Sequence, residues 1–439
     1  MKKIKKRAYF ALIIAFALLA GMGIYMLRLW KDGGDWVMLR ANQSVFSDGA
    51  LDRGTVTDRN GVVLATAGDG VFSYAADETV RRACLHAVGD FGGHFGTGAL
   101  SVFDEKLAGY NFFTGVTSIN DDGGTVRLSI DASLNAAAYN ALAGRRGAVL
   151  VSNYETGEIL CMVSTPSYDP NNTPDVSQPA YEGVYLNRAL SSTYTPGSVF
   201  KLVTLAAAIE NIPDLQQRSF YCAGSVVVAG NTVKCTGVHG EQTIELALAN
   251  SCNCAFSELS QELGADKLYE YTEKYGFLEP LKIDGIETAA GRFDKAEAGS
   301  SDLSWSGIGQ YNDLTSPISM LRYTAAVANG GIAREPTLLK KGRSRETTLM
   351  SEETAKKIAE MMSYTVSYAY GTWRFPGLDI HAKTGTAEVG DGKSHAWFTG
   401  YITNEGSPLA FTVVIENGGG GLAAAGPVAN AVLQAAVSG

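Results

Sequence analysis

The chain has 439 residues, which is too long for one ordinary domain and suits two or three. With 46% hydrophobic and 18% charged residues, it is not a disordered chain, which would carry too little apolar surface to fold. The formal charge is -9, but residues 1–30 hold six of the 36 Lys and Arg and no acid, so the remainder has 36 - 6 = 30 cations against 45 anions, or -15. An acidic surface of that kind excludes capture of nucleic acid or anionic lipid by general electrostatics.

Lys2, Lys3, Lys5, Lys6 and Arg7 precede an uncharged run from Ala8 to Leu27, closed by Arg28. At about 1.5 Å of rise per residue, this run matches a bilayer core of roughly 30 Å. The excess of leading cations predicts a single-pass anchor in the cell membrane, with the amino terminus inside and the remainder extracytoplasmic. A cleaved signal peptide is the rival reading. However, Ala20-Gly21-Met22-Gly23 is a weak cleavage site, and the apolar run continues past it.

Residues 31–145 read as a small β-rich N-terminal pedestal of short strands and loops. Within it, Val56 and Val62 to Leu64 predict two short strands, with Asn60-Gly61 as a type I′ turn signal. From Gly147 to Pro166 a hairpin is expected. Its strands are Ala148 to Val151 and Ile159 to Val163, and they turn through Glu155-Thr156-Gly157. Such near-continuous apolar runs suit strands buried on both faces. This hairpin opens a large domain spanning residues 146–439. Helix-like segments follow at Val199 to Ile209 and Ile244 to Leu263, strands return at Ile380 to Ala387, Ala396 to Ile402 and Leu409 to Ile415, and Pro427 to Val437 closes as a helix. The order predicts a mixed α/β (α+β) fold, an antiparallel sheet sandwiched by helices.

The six cysteines, Cys84, Cys161, Cys222, Cys235, Cys252 and Cys254, form no evident disulfide framework. Cys161, between Leu160 and Met162, reads as a core side chain. Cys222 and Cys235, followed by His239, could close a disulfide, supply three zinc ligands, or do neither. The sequence identifies no fourth ligand.

Three short patterns carry chemistry. Thr195-Pro196-Gly197-Ser198-Val199-Phe200-Lys201 sets a serine at the mouth of an apolar helix with a lysine three positions on, on the same face. A serine hydroxyl needs a neighbouring base, and lysine serves only if burial or a nearby cation lowers its pKa. No other serine in the chain has a lysine at that spacing. The pattern S-x-N occurs at Ser118-Ile119-Asn120, Ser133-Leu134-Asn135 and Ser251-Cys252-Asn253, and only the last lies between Ser198 and the third element. There a second hydroxyl could relay a proton, and the Asn253 amide could both donate to and accept from a peptide. Lys383-Thr384-Gly385-Thr386, on an expected strand, offers a cation and hydroxyls to a carboxylate. Gly385 would let a substrate backbone approach the strand edge.

Together, at spacings of 251 - 198 = 53 and 383 - 198 = 185, the three resemble the S-x-x-K, S-x-N and K-T-G set of penicillin-recognising serine enzymes. Arg53-Gly54 with Asp58-Arg59-Asn60-Gly61, Thr156-Gly157, Pro166-Ser167-Tyr168-Asp169-Pro170-Asn171, Asn187-Arg188 and Trp397-Phe398-Thr399-Gly400 are similar to landmarks of class B penicillin-binding proteins. Gly307-Ile308-Gly309-Gln310 is too, except that Tyr311 stands where that family commonly has glycine. One anchor and a non-enzymatic pedestal leave no room for a glycosyltransferase domain, and the chain ends soon after its last helix. It is therefore similar to the short, penicillin-binding protein A-like members without appended modules.

The resemblance implies a peptidoglycan D,D-transpeptidase that uses no cofactor and no metal in the reaction. Ser198 would be the nucleophile, Lys201 its base and Ser251 the proton relay. Asn253, Lys383, Thr384, Gly385 and Thr386 would bind substrate. Stem peptides and β-lactams would be its ligands, and a membrane glycosyltransferase with other wall-assembly proteins its partners. The triplet alone would equally serve a D,D-carboxypeptidase or a β-lactamase-type hydrolase; a silent scaffold or antibiotic sensor is the other rival, and the intact triplet argues against it.

Overall fold

Residues 2–38, 54–68, 71–109, 124–340 and 344–438 are described by a computed structural model. The Arg53 landmark and the Ser118-Ile119-Asn120 pattern lie outside the described residues. The chain divides into two compact units. The first comprises Met1–Val56, Ala65–Ser73 and Phe103–Val126, and the second comprises Thr57–Leu64, Tyr74–Val102 and Arg127–Gly439.

In the first unit, helix α1 (Lys2–Met38) runs beyond the apolar stretch at both ends. Its Lys3–Gly33 segment has the length to cross a membrane and contains an 18-residue window of mean hydropathy 2.4, and large side chains such as Phe16 stand 75% exposed. A helix apolar all round with its side chains outward suits lipid as solvent.

The second unit corrects two local expectations. Asn60-Gly61 is not a type I′ turn, because only Gly61 has positive φ. Asp58 organises the turn instead. Its Oδ1 accepts from the N–H groups of Asn60 and Val62, both at 2.8 Å, and its own N–H donates to Val62 O. An Asx side chain has thus replaced the second left-handed residue. Where strands and loops were expected, two three-turn helices form, α2 (Glu78–Val88) and α3 (Ala132–Leu142). Asp77 and Asp131 cap them by accepting from first-turn N–H groups.

The main sheet comprises β1 (Gly147–Asn153), β2 (Ile159–Thr165), β3 (Ile380–Glu388), β4 (Ser394–Ile402) and β5 (Leu409–Ile415). It runs in the order β3-β4-β5-β1-β2, antiparallel throughout. The helices that chain order places between β2 and β3 include α4 (Lys201–Asn211), α5 (Ile244–Ala249), α6 (Asn253–Lys274), α7 (Pro317–Ala328) and α8 (Glu352–Thr365). Helix α9 (Gly421–Ser438) closes the chain. One sheet face packs Val149, Val151, Val163, Phe398 and Val413 against Leu134, Ala138 and Leu142 of α3 and Val428, Ala429 and Val432 of α9. Helix α9 also has the length and hydropathy of a membrane span, but this packing makes it a core helix. Helix α7 covers the other face, where Thr324, Thr399 and Thr412 link their hydroxyls in a buried chain at 3.3 and 2.7 Å. With both faces covered, residues 148–151 are wholly buried, which is why they read as an unbroken apolar run. Strand β3 ends the sheet, leaving its outer edge for the site.

Candidate active site

The segment leading to Ser198 is held by backbone. Ser198 sits in a 3-10 turn, Gly197–Val199, just ahead of α4. Gly197 has φ +57° and donates its N–H to Gly309 O at 2.7 Å. A Cβ there would lie 2.9 Å from Thr386 O, and one on Gly385 would lie 2.7 Å from Pro196 O. Gly385 is therefore needed for contact with the Ser198 turn. Upstream, the buried Trp397 donates its indole N–H to Thr195 O at 3.0 Å. Arg188 and Tyr194 both donate to Glu416, at 2.7 and 2.8 Å, so Arg188 and Trp397, noted above in the sequence, brace the approach to Ser198.

Lys201, Ser251, Asn253 and Lys383 converge. Lys201 Nζ donates to Ser251 O at 2.6 Å, Ser251 Oγ at 3.2 Å and Asn253 Oδ1 at 2.7 Å. Lys383 Nζ donates to the same Ser251 Oγ at 3.1 Å and to Thr384 O at 2.9 Å. Both amines are fully buried. Burial drives Lys201 from its ordinary value down to about 7, with the thiols of Cys235, Cys252 and Cys254 pulling the other way. Burial, then the Lys201 charge, holds Lys383 well below its ordinary value. The Asn253 amide also donates to Lys234 O at 2.8 Å, which leaves a second N–H and a second oxygen lone pair for a ligand. Ser198 is half-buried on the cleft wall and is not among the three acceptors of Lys201.

The expected helix from Ile244 to Leu263 is broken here. Ser251 has φ +51°. Its N–H donates to Leu248 O and that of Cys252 to Ala247 O, at 3.0 and 2.8 Å. This bond pair is a Schellman ending of α5, with serine in the left-handed position usually given to glycine. Helix α6 then starts afresh at Asn253. Apolar periodicity continues across the break, so pattern alone did not show it. We expect Ser251→Gly to be more stable than Ser251→Ala by about 1 kcal/mol, because alanine keeps the left-handed penalty. Acylation should fall alike in both, about 100-fold, because the hydroxyl is lost from each. Denaturant melts alongside penicillin-labelling rates check this. Equal stabilities would refute the strain, and a normal rate in either variant would refute the role of the hydroxyl.

The edge of β3 completes the arrangement. Thr384 N–H donates to Tyr370 OH at 2.9 Å, and the two hydroxyls are 3.0 Å apart. The Thr384 N–H therefore points off the sheet, and by the two-residue strand period that of Thr386 does too. Thr386 Oγ1 accepts from Gly421 N–H at 3.2 Å. The sequence reading missed Tyr370, whose only signal was its place in an aromatic cluster, Tyr364, Tyr368 and Tyr370. Ser198, Ser251, Asn253, Tyr370, Thr384 and Thr386 all line one cleft of about 910 Å³. Lys201 and Lys383 lie beneath its floor. Tyr311 also lines the cleft and has φ +66°, so the loop keeps the left-handed conformation that makes glycine common there. The rival Ser133 and Asn135 are bound into the start of α3, the amide donating to Asp131 O at 2.7 Å. All six thiols are free, so Cys222 and Cys235 are not joined, and Cys161 is buried in the core as expected.

The family described as "Penicillin binding protein transpeptidase domain" matches residues 147–434. The peptidoglycan D,D-transpeptidase PbpA of Mycobacterium tuberculosis is 30% identical over 382 residues, covering 77% of this chain and 76% of that one. The solved penicillin-binding protein A of M. tuberculosis, as a ceftriaxone acyl-enzyme complex, superposes with a TM-score of 0.77 at 27% identity, covering 88% of this chain and 98% of that chain. A D,D-transpeptidase domain from Eggerthella lenta gives 0.76 at 28% identity, with the same coverage. Motif order, site geometry and these likenesses together make the chain a class B penicillin-binding protein, a member of the penicillin-binding transpeptidase family.

Proposed function

We propose that Ser198 is the nucleophile of this peptidoglycan D,D-transpeptidase and forms an acyl-enzyme with the D-Ala-D-Ala end of a stem peptide or with penicillin. The observation that carries the residue roles is the convergence of two buried amines, Lys201 and Lys383, on the Ser251 hydroxyl in the cleft that also holds Ser198. Lys201, its proton affinity lowered by burial, takes the Ser198 proton as Oγ attacks the carbonyl between the last two D-alanines. Backbone N–H groups of Ser198 and Thr386 receive the oxyanion, each contributing about 3 kcal/mol to the transition state. Ser251 passes the proton to the departing D-Ala amine, and Asn253 holds the peptide amide. Thr384 and Thr386 meet the terminal carboxylate from the cleft wall, with the Lys383 charge beneath them. An acceptor amine from a second stem peptide then attacks the ester and releases Ser198.

Residues 1–30 hold the chain in the membrane, residues 31–145 serve as a pedestal, and residues 146–439 act outside. The enzyme would work beside a membrane glycosyltransferase that supplies the glycan strands. A donor stem peptide incubated with and without an acceptor amine tests the transfer. The expected outcome is a cross-linked product that grows with acceptor concentration. Hydrolysis alone in the presence of acceptor would replace this reading with a D,D-carboxypeptidase or β-lactamase-type hydrolase.

A further inference from the structure

Two small ribbons beside the cleft are built around sulfur. The strand Phe220–Cys222 pairs with Gly240–Gln242, with Gly240 opposite Cys222. This register draws His239 alongside, and its N–H donates to Cys222 O at 3.2 Å. The ribbon Ser225–Val228 with Asn231–Lys234 delivers Cys235 at its end. Cys252 arrives from the Schellman turn between Ser251 and Asn253. One ligand atom from each of Cys222, Cys235, His239 and Cys252 lies within 4.8 Å of all the others. The fold thus supplies the fourth ligand that the sequence did not, because Cys252 sits inside a motif read only for its flanking residues.

The distances discriminate between chemistries. Cys235 Sγ is 3.8 Å from Cys252 Sγ and 3.6 Å from His239 Nδ1. A tetrahedral zinc ion about 2.3 Å from sulfur and about 2.05 Å from nitrogen sets edges of about 3.8 Å between sulfurs and about 3.6 Å from sulfur to nitrogen. A disulfide would need about 2.05 Å. Two of the sulfurs also accept backbone N–H groups, Cys222 from Gly224 at 3.4 Å and Cys235 from Asn253 at 3.1 Å, the outer bonds that orient metal-bound ligands. Three thiolates with one imidazole select zinc among the common divalent ions.

We propose that Cys222, Cys235, His239 and Cys252 bind one zinc ion in a closed, four-coordinate structural site. Protein fills every position, so the ion stabilises rather than reacts. Its place gives it a second consequence, which rests on the catalytic reading above. Cys252 lies between Ser251 and Asn253, both partners of Lys201, so the ion pins the turn that presents them. The four ligands are positioning residues for that turn.

The test uses the full chain purified in detergent without chelator. Elemental analysis should give about one zinc per chain. Cobalt substitution should give the intense visible bands of a tetrahedral thiolate site. Cys222→Ser and His239→Ala should lose the ion, whereas Cys254→Ser should keep it, although Cys254 Sγ lies only 3.4 Å from Cys222 Sγ. Chelator-stripped wild type, still folded by far-ultraviolet circular dichroism at the assay temperature, should acylate at least tenfold more slowly, and added zinc should restore the rate. Absence of zinc from wild type after zinc supplementation, a mapped disulfide among these cysteines, or loss of the ion in Cys254→Ser overturns the site. Unchanged acylation in the stripped enzyme overturns its positioning role. Penicillin labelling reports separately on Ser198: labelled protein without metal ends the zinc site alone, and metal without labelling ends the catalytic reading alone.

Discussion

Ser198→Ala is expected to abolish covalent labelling by a fluorescent penicillin while the protein melts within about 1 °C of wild type. The two halves of the result have separate causes. Acylation needs an oxygen to carry the ester, and no neighbouring hydroxyl can substitute: Ser251 Oγ is held between the buried amines of Lys201 and Lys383, and Thr384 shares its hydroxyl with Tyr370. Stability is spared because Ser198 is half-buried and its side chain makes no hydrogen bond among the described residues, so truncation leaves no buried partner unpaired. Labelling that survives the substitution would place the nucleophile elsewhere. A wild type that never labels would instead favour the scaffold or sensor reading.

Lys201→Met should slow acylation about 1,000-fold, the scale on which loss of a positioned general base is felt. The wild type should also show a titration that the variant lacks. Only the neutral amine can accept the Ser198 proton. The Lys201 value is lowered to about 7, so the competent fraction rises with pH through that point and falls about tenfold for each unit below it. A lysine at its ordinary value would produce the same rise some three units higher. Second-order acylation rates measured from pH 5 to about 9 decide between them. A flat profile, or a rise confined to the alkaline end, would remove Lys201 as the base.

The sheet was legible because burial on both faces left continuous apolar runs, and five strands fall close to where those runs lie. The order of Ser198, Ser251 and Lys383 was legible because each sits in a short pattern whose residues act locally. Other features depend on distant partners. The break at Ser251 involves no Gly or Pro, and the serine is held left-handed by bonds back to Ala247 and Leu248. Tyr370 matters through Thr384, fourteen positions on, and nothing local marks it. Helices α2 and α3 went unseen although α4 is no longer than either, because Arg81, Arg82 and His86 in the one and Asn135 and Asn140 in the other interrupt the apolar pattern, while their capping aspartates look like ordinary loop residues. Gly385 was legible only in part for a related reason: a glycine on a strand reports that something comes close, but not that it is Pro196 O of the Ser198 turn.

That last point bears on drug escape. The backbone seam joining Gly197, Gly309 and Gly385 leaves no room for a side chain: a Cβ on Gly309 would lie 2.2 Å from Gly197 O, and those on Gly197 and Gly385 would meet Thr386 O and Pro196 O at 2.9 and 2.7 Å. Ser198, the proposed point of capture by a β-lactam, is thus set by main-chain atoms, which substitution cannot reshape without displacing its side chain. Selection against a β-lactam has to work on the rim, where Tyr311 already holds a backbone conformation other side chains rarely adopt. Resistant variants should therefore accumulate in the cleft wall and leave the seam unchanged.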